Sequence, residues 1–286
     1  MSAVIDRPSF DRPSLHKHRW PDGESALAFE GGVYIFHGLG EHGARYAHVA
    51  QWFVDKGYRV GSHDHPAHGR SPGERGILQD DAIENNAVEQ FEAFQRTCDG
   101  PVLLLGHSLG GALAANLVLR GVVQPDALIL SAPAFEPNLS AFQRAQLSLM
   151  FFLAKDLTVT APLSGPLLTH DEQIRKAWLA DPLINRIVSA RLIKWLVDTG
   201  EQALEMAPRL SIPTLLLVPL ADVIVKPAGS DEFARRAPTD KVMLHTYEGL
   251  YHELLNETPQ DRQRVFAHID QWLEELVVQQ SVHSAP

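Results

Sequence analysis

A single cysteine, Cys98, stands in 286 residues, so no intramolecular disulfide can form and a reducing compartment suits the chain. Positive charge is also scarce: 25 Lys and Arg face 35 Asp and Glu, a formal net charge of −10. Nucleic acid and anionic membrane surfaces would repel such a chain, which excludes both as its main partner. Long apolar runs are missing too. The longest, LSLMFFLA at 147–154, falls far short of the ~20 residues that span a bilayer. The first twenty residues lack the apolar core of a secretory signal. These absences predict a cytoplasmic protein with no transmembrane segment and no nucleic-acid partner. The rest of the composition, 45% hydrophobic and 21% charged, is ordinary for a globular protein with a sizeable core.

Apolar runs of strand length alternate with amphipathic helical stretches. VYIF (33–36), YRVGSHD (58–64), PVLLLGH (101–107), DALILSAP (126–133), PTLLLVP (213–219) and KVMLHTYEG (241–249) read as strands. ARYAHVAQWFVDKG puts Tyr46, Val49, Ala50 and Phe53 on one helical face and stops at Gly57. A second helix carries Ile83, Ala87, Phe91, Phe94 and Cys98, which makes Cys98 an inert core residue. The last helix starts at Thr258-Pro259 and buries Val265, Phe266, Ile269, Trp272, Leu273 and Leu276. Such alternation predicts an α/β fold, a mostly parallel sheet flanked by helices.

Residues 135–208 break the alternation with helical patches and no convincing strand. A structureless loop of that length does not fit a compact domain. The expected organisation is therefore a loosely ordered leader at 1–20, a core at 21–134 and 209–286, and a helical cap inserted at 135–208. The cap would overlie the sheet's C-terminal edge, where open α/β sheets bind ligands.

Chemistry concentrates around LLLGHSLGGALAANL (103–117), which carries G-x-S-x-G at Gly106–Gly110. The pattern demands a strand-to-helix turn sharp enough to strain Ser108, with small residues on either side. A serine needs a base, itself oriented by a carboxylate, and in this fold acid and then histidine follow late strands. Asp222 comes two residues beyond TLLLVP, and His252 lies in YEGLYHELLNE between the last strand and the final helix. His245, inside a strand pattern, and His268, inside the final helix, fit less well; Asp231 and Asp240 read as solvated charges. The oxyanion donors would be the N–H groups of Leu109, at a helix start, and Leu39, in HGLGEHGARY (37–46). His37 is either a ligand or base or, the better fit, a hydrogen-bonding brace for that loop. His63, His65 and His68 invite a metal reading, but no matching carboxylate or cysteine set accompanies them, so no metal or cofactor is expected.

Together HGLGEHGARY, HDHPAHGRSPGERG (63–76), GHSLGG (106–111), ADPL (180–183), ADVIV (221–225) and YEGLYHELLNE (247–257) resemble the monoacylglycerol lipase and lysophospholipase family of α/β-hydrolases, also grouped with serine aminopeptidase-like hydrolases. The resemblance runs from about residue 30 to residue 275. It implies a Ser108–Asp222–His252 triad, a Leu39/Leu109 oxyanion hole, and Glu41 and Arg45 near the glycerol end. It also implies a helical cap whose apolar rim meets lipid, which allows transient membrane-surface contact. Three departures stand out. Pro219 replaces the glycine usual three residues before the acid, Trp178 takes a cap position often tyrosine, and the stretch between Trp20 and Val33 is compressed.

The expected function is hydrolysis of single-chain acyl esters, monoacylglycerols foremost, through an acyl-enzyme. General carboxylesterase, lysophospholipase, acyltransferase and peptidase readings share the motifs, and a binding-only role would leave a complete triad unused. Leu147, Met150, Phe151 and Phe152 either line an acyl tunnel or pack the cap on the body.

Overall fold

The central strands are buried at every position and need cover on both faces, and the chain provides it with helices on each side. The computed structural model describes residues 14–21, 31–79, 82–161 and 167–283, with side chains as far as residue 276. In chain order, β1 (Lys17–Trp20), β2 (Gly31–Phe36), α1 (Ala47–Val54), β3 (Tyr58–His63), α2 (Ala82–Gln95), β4 (Val102–His107), α3 (Leu109–Leu119) and β5 (Ala127–Ser131) come first. An inserted segment follows, with α4 (Ala141–Ala154), β6 (Thr158–Thr160), α5 (Glu172–Ala180), β7 (Ile187–Ser189) and α6 (Ala190–Met206). The chain then returns to the sheet as β8 (Thr214–Pro219), α7 (Pro227–Arg236), β9 (Val242–Tyr247) and α8 (Pro259–His283).

Among the described residues, seven strands form one sheet in the order β1-β3-β2-β4-β5-β8-β9. Only β1 runs antiparallel; every other pair is parallel. The two-residue period of each strand sends alternate side chains to opposite layers. Val33 and Ile35 of β2, Leu103 and Leu105 of β4, and Leu215 and Leu217 of β8 join one core with α1 and α8. Tyr34 and Phe36, Val102 and Leu104, and Leu216 and Val218 join the other, with α2, α3, α6 and α7. Phe135 and Phe233 stack in that second layer at 4.6 Å.

The structure differs from the sequence expectations in three places. The leader expected over 1–20 ends in order: Lys17–Trp20 is β1, paired with Val60–His63 at the sheet edge. Four residues are too few for periodicity to reveal a strand, and the pairing is long-range. Residues 1–13, and the compressed stretch at 22–30, lie outside the described residues. Secondly, the inserted segment contains strands after all, since β6 and β7 pair antiparallel. Thirdly, the insertion does not stand apart from the core as far as residue 208. Leu192, Leu196 and Ala203 of α6 pack in the same cluster as α3, because the helix presents its apolar stripe to the sheet layer.

Helix starts follow local chemistry. Ser140 caps α4 in a reciprocal capping box with Gln143, Asp171 caps α5 by accepting from Gln173 and Ile174 N–H, and Ser189 caps α6.

Candidate active site

Strand β4 stops at His107, α3 starts at Leu109, and Ser108 between them has φ 53° and ψ −117°. Such a backbone costs an L-residue on the order of 1–3 kcal/mol and persists only where its surroundings over-determine it. They do. The Ser108 N–H donates to Ser131 O (3.0 Å), and its carbonyl accepts from Ala112 N–H (3.0 Å) and Ala134 N–H (2.9 Å). The turn admits nothing larger than glycine on either side: a Cβ at Gly106 would lie 2.4 Å from Gly110 O, and one at Gly110 2.2 Å from Phe36 O. Leu109, as the first residue of α3, has no partner for its N–H within the helix.

Asp222 lies just beyond β8. Its Oδ1 accepts from Ile224 N–H (2.8 Å) and Val225 N–H (3.1 Å), and its Oδ2 accepts from His252 Nδ1 at 2.6 Å. The Asp222 contact places the imidazole proton on Nδ1 and leaves Nε2 as an acceptor. Burial would raise the Asp222 carboxyl, but the charge and hydrogen bond of His252 and the two N–H donors bring it below its ordinary value. Burial would likewise lower His252; Asp222 outweighs it, with Glu253 and Glu41 adding to the effect, and the ring is held above its ordinary value. The ring centroid of His107 is 4.8 Å from that of His252. Burial and proximity to His252 push His107 down to about 4, so it is neutral at pH 7. Pro219 is compatible with an Asp222 carboxylate that meets His252. As the last residue of β8 it sits in register with Tyr247, and Leu220 and Ala221 donate to Tyr247 O (3.0 Å) and Leu250 O (3.1 Å).

Ser108, His107, His252, Leu39, Glu41, Arg45 and Trp178 line one cavity of about 220 Å³. Leu139, Leu168, Ile193, Leu196, Val223, Ile224 and Val225 form its apolar walls. Glu41 and Arg45 are in place but already engaged. Glu41 Oε1 accepts from Gly38 N–H (2.6 Å) and Tyr46 O–H (2.7 Å), its Oε2 contacts Arg45, and Arg45 forks onto Glu253 at 2.8 and 2.6 Å. Trp178 is buried with the Arg186 guanidinium 4.5 Å over its ring. Phe151 and Phe152 do not reach the cavity. They stand on the outer face of α4 with 38% and 85% of their surface exposed, and no residue of α4 is buried. Leu147 and Met150 are half-buried and also off the cavity wall. Helical spacing grouped these side chains without saying which way the helix turns.

The loop histidines act within the protein. His37 donates from Nδ1 to Gly38 O (2.8 Å) and accepts His65 N–H at Nε2 (2.9 Å), which braces the loop before Leu39. The rings of His63 and His65 lie 4.8 Å apart and those of His65 and His68 6.1 Å apart. Among the described residues, however, the group with ligand atoms within 4.8 Å of one another is His16, His18 and Asp64, and the nitrogens of those three rings are not part of it. The Asp64 carboxylate is taken up by His18 Nε2 (2.7 Å) and by the N–H groups of Gly43 (2.9 Å) and Arg70 (2.8 Å), an arrangement that serves the loop. His245 and His268 stack on each other at 4.1 Å, away from the cavity. Asp231 and Asp240 are exposed. Cys98 is half-buried against the core, and burial pushes its thiol up.

Two features escaped sequence reasoning: the Arg45–Glu253 pair, 208 residues apart, and the walls contributed by α6. The first left a trace, since Glu253 follows His252 in HELLNE.

A mostly parallel seven-stranded sheet flanked by helices, with a serine on a strained strand-to-helix turn, defines an α/β-hydrolase fold. Residues 29–259 match the family described as Serine aminopeptidase, S33, and the chain belongs to that family. A monoacylglycerol lipase of Mycolicibacterium smegmatis is 32% identical over 80% of this chain and 84% of its own length. The crystal structure of Paleococcus ferrophilus monoacylglycerol lipase has a TM-score of 0.80 and 27% identity, covering 91% of this chain and 98% of that one. An uncharacterized abhydrolase domain-containing protein of Dictyostelium discoideum is 29% identical over 96% of this chain, which spans only 29% of that relative's length. The likeness to monoacylglycerol lipases thus extends well beyond the motifs that first carried it.

Proposed function

We propose that the protein is a serine hydrolase that cleaves carboxylic esters of single-chain lipids, monoacylglycerols foremost. The observation that carries this reading is the 2.6 Å His252–Asp222 contact at the same apolar-walled cavity that Ser108 lines. Ser108 Oγ attacks the ester carbonyl while His252 Nε2 takes its proton, and Asp222 holds the ring in that tautomer. The N–H groups of Leu39 and Leu109 receive the oxyanion. The tetrahedral intermediate then collapses, the C–O bond to the alcohol breaks, and His252 returns the proton to the leaving oxygen. Water, deprotonated by His252, hydrolyses the acyl-enzyme by the same route and restores Ser108.

Monoacylglycerol lipases among the relatives support the choice of lipid ester. The cavity walls support it too, since Leu139, Leu168, Ile193 and Leu196 offer apolar cover for a chain. The inserted segment serves as a cap. Its α4 presents Phe142, Leu149, Phe152 and Leu153 outward, each more than half exposed, a patch suited to transient contact with a lipid surface. Among the described residues, no helix is long and apolar enough to cross a membrane.

Hydrolysis of mono-oleoylglycerol, a lysophospholipid and a short soluble ester, by wild type and by Ser108→Ala, tests the reading. Fast turnover of the monoglyceride that the substitution abolishes is the expected result. Preference for the lysophospholipid, or activity on the short ester alone, would replace the substrate assignment. Activity surviving in Ser108→Ala would remove the nucleophile assignment.

A further inference from the structure

Glu41, Arg45 and Glu253 form a closed ion triplet at the polar end of the cavity. Arg45 forks onto both oxygens of Glu253 at 2.8 and 2.6 Å and contacts Glu41 Oε2. The three side chains are 5–10% exposed. Their donors and acceptors are spent largely on one another and on the surrounding loops. Glu41 also accepts from Gly38 N–H and Tyr46 O–H, and Glu253 Oε2 from Asn256 Nδ2 at 3.1 Å. Acceptance from donors alone is the pattern of an ionised carboxylate. Burial opposes charge on Arg45, but Glu253 and Glu41 keep the guanidinium charged; burial would raise Glu253, but Arg45 draws it down to about 2. Two carboxylates on one guanidinium formally leave one negative charge.

The triplet shares its cavity with His252, and Glu253 and Glu41 both act to raise that ring. Glu253 is the neighbour of His252 in the chain, and Glu41 reaches the same cavity from the loop between β2 and α1. Among the described residues, Asp222 from the loop after β8 and His107 from the end of β4 also face the ring. His107 is neutral at pH 7. Asp222 and the triplet therefore supply the negative field there, and Arg45 is the single cation among them.

We propose that the Glu41–Arg45–Glu253 triplet is a second electrostatic support for His252, placing one net negative charge beside the ring and favouring the imidazolium that forms when Ser108 gives up its proton. Arg45 makes the arrangement tolerable, because two bare carboxylates in a buried site would take up a proton instead. It also ties the loop carrying Leu39 to the loop carrying His252. Glu41, Arg45 and Glu253 are then positioning residues rather than contacts to the alcohol group. The inference rests on the serine-hydrolase reading for the source of the proton, not for the effect on the ring.

The test follows the His252 ring in the full chain by NMR titration of labelled histidine, its signal identified by loss in His252→Gln. Glu253→Gln preserves shape and an acceptor for Arg45 while deleting the charge. The expected result is a fall of about half a unit to one unit in the His252 midpoint, with a smaller fall in Glu41→Gln. A His252 midpoint that stays put or rises in folded Glu253→Gln overturns the proposal. If that variant does not fold, Glu41→Gln decides alone by the same criterion. In kinetics, the acid limb of kcat/KM should move to lower pH with KM unchanged. A raised KM with an unmoved midpoint would make these residues substrate contacts and likewise overturn the proposal. Because the NMR midpoint needs no turnover, failure of the hydrolase reading shows separately, in the Ser108→Ala comparison.

Discussion

Gly110→Ala tests whether the strained turn is what presents Ser108. The added Cβ would meet Phe36 O at 2.2 Å and His37 O at 2.6 Å, and both are backbone atoms at the end of β2, so no side chain can swing aside. Relief needs about 1 Å of separation between the start of α3 and the end of β2, and a misplacement of that size near reacting groups costs about 10²-fold in rate. Leu109 opens one of those ends, and Gly38 and Leu39 follow the other. Overpacking ordinarily destabilises by about 1–3 kcal/mol, and with backbone on both sides of the contact the loss should be about 3 kcal/mol or more. Equilibrium urea unfolding reads the stability, and ester hydrolysis under conditions where the variant is folded reads kcat and KM. We expect a lowered urea midpoint together with kcat down by about 100-fold and KM little changed. Wild-type stability would refute the steric reasoning. Lost stability with full kcat would refute the link between the turn and the site.

Asp222→Asn keeps the shape of the acid but removes its charge and favours the wrong imidazole tautomer, so kcat should fall by about 10³–10⁴-fold. Steady-state kinetics showing a loss confined to KM would contradict the role given to Asp222. Hydrolysis needs a neutral ring, and Asp222 holds His252 above its ordinary value of 6.5, so the acid limb of the pH–rate profile should have its midpoint above pH 6.5. The stability sign is the reverse. A raised folded value means that protonated His252 stabilises the fold below pH 6.5 and that this contribution is lost as pH rises through the folded value. Thermal melts between about pH 6 and 8 should show the decline in wild type and not in His252→Gln. Phe152→Asp on the exposed face of α4 should leave the melting temperature within a degree or two, since surface substitutions shift stability by about 0.5 kcal/mol or less. It should weaken sedimentation with lipid vesicles, and unchanged sedimentation would remove α4 from the proposed lipid contact.

Most of the fold was legible because its signals are local. The strands at 33–36, 102–107 and 214–219 are dominated by apolar residues and fit a sheet covered on both faces, and Gly106 and Gly110 beside Ser108 mark a turn that nothing larger fits. Asp222 and His252, which meet in the structure, were legible as a candidate pair from order along the chain, each just past a late strand. The rest was not local. Lys17–Trp20 becomes a strand only because β3 offers an edge to pair with. The aromatic cluster of α4 reads equally as tunnel wall or outer face, and the structure turns Phe152 outward while α6 supplies Ile193 and Leu196 to the cavity.

By itself, the sequence determined the alternation of the core strands and helices and the residues that can do chemistry, since backbone sterics and apolar periodicity act over a few residues. The tertiary structure alone decided which of those residues meet. His252 finds Asp222 30 positions away and Arg45 finds Glu253 208 positions away, and each meeting depends on how parallel strands bring their C-terminal ends to one edge. The charge around His252 is therefore a property of the assembled loops, where burial leaves each ionised group only the partner that the fold puts beside it.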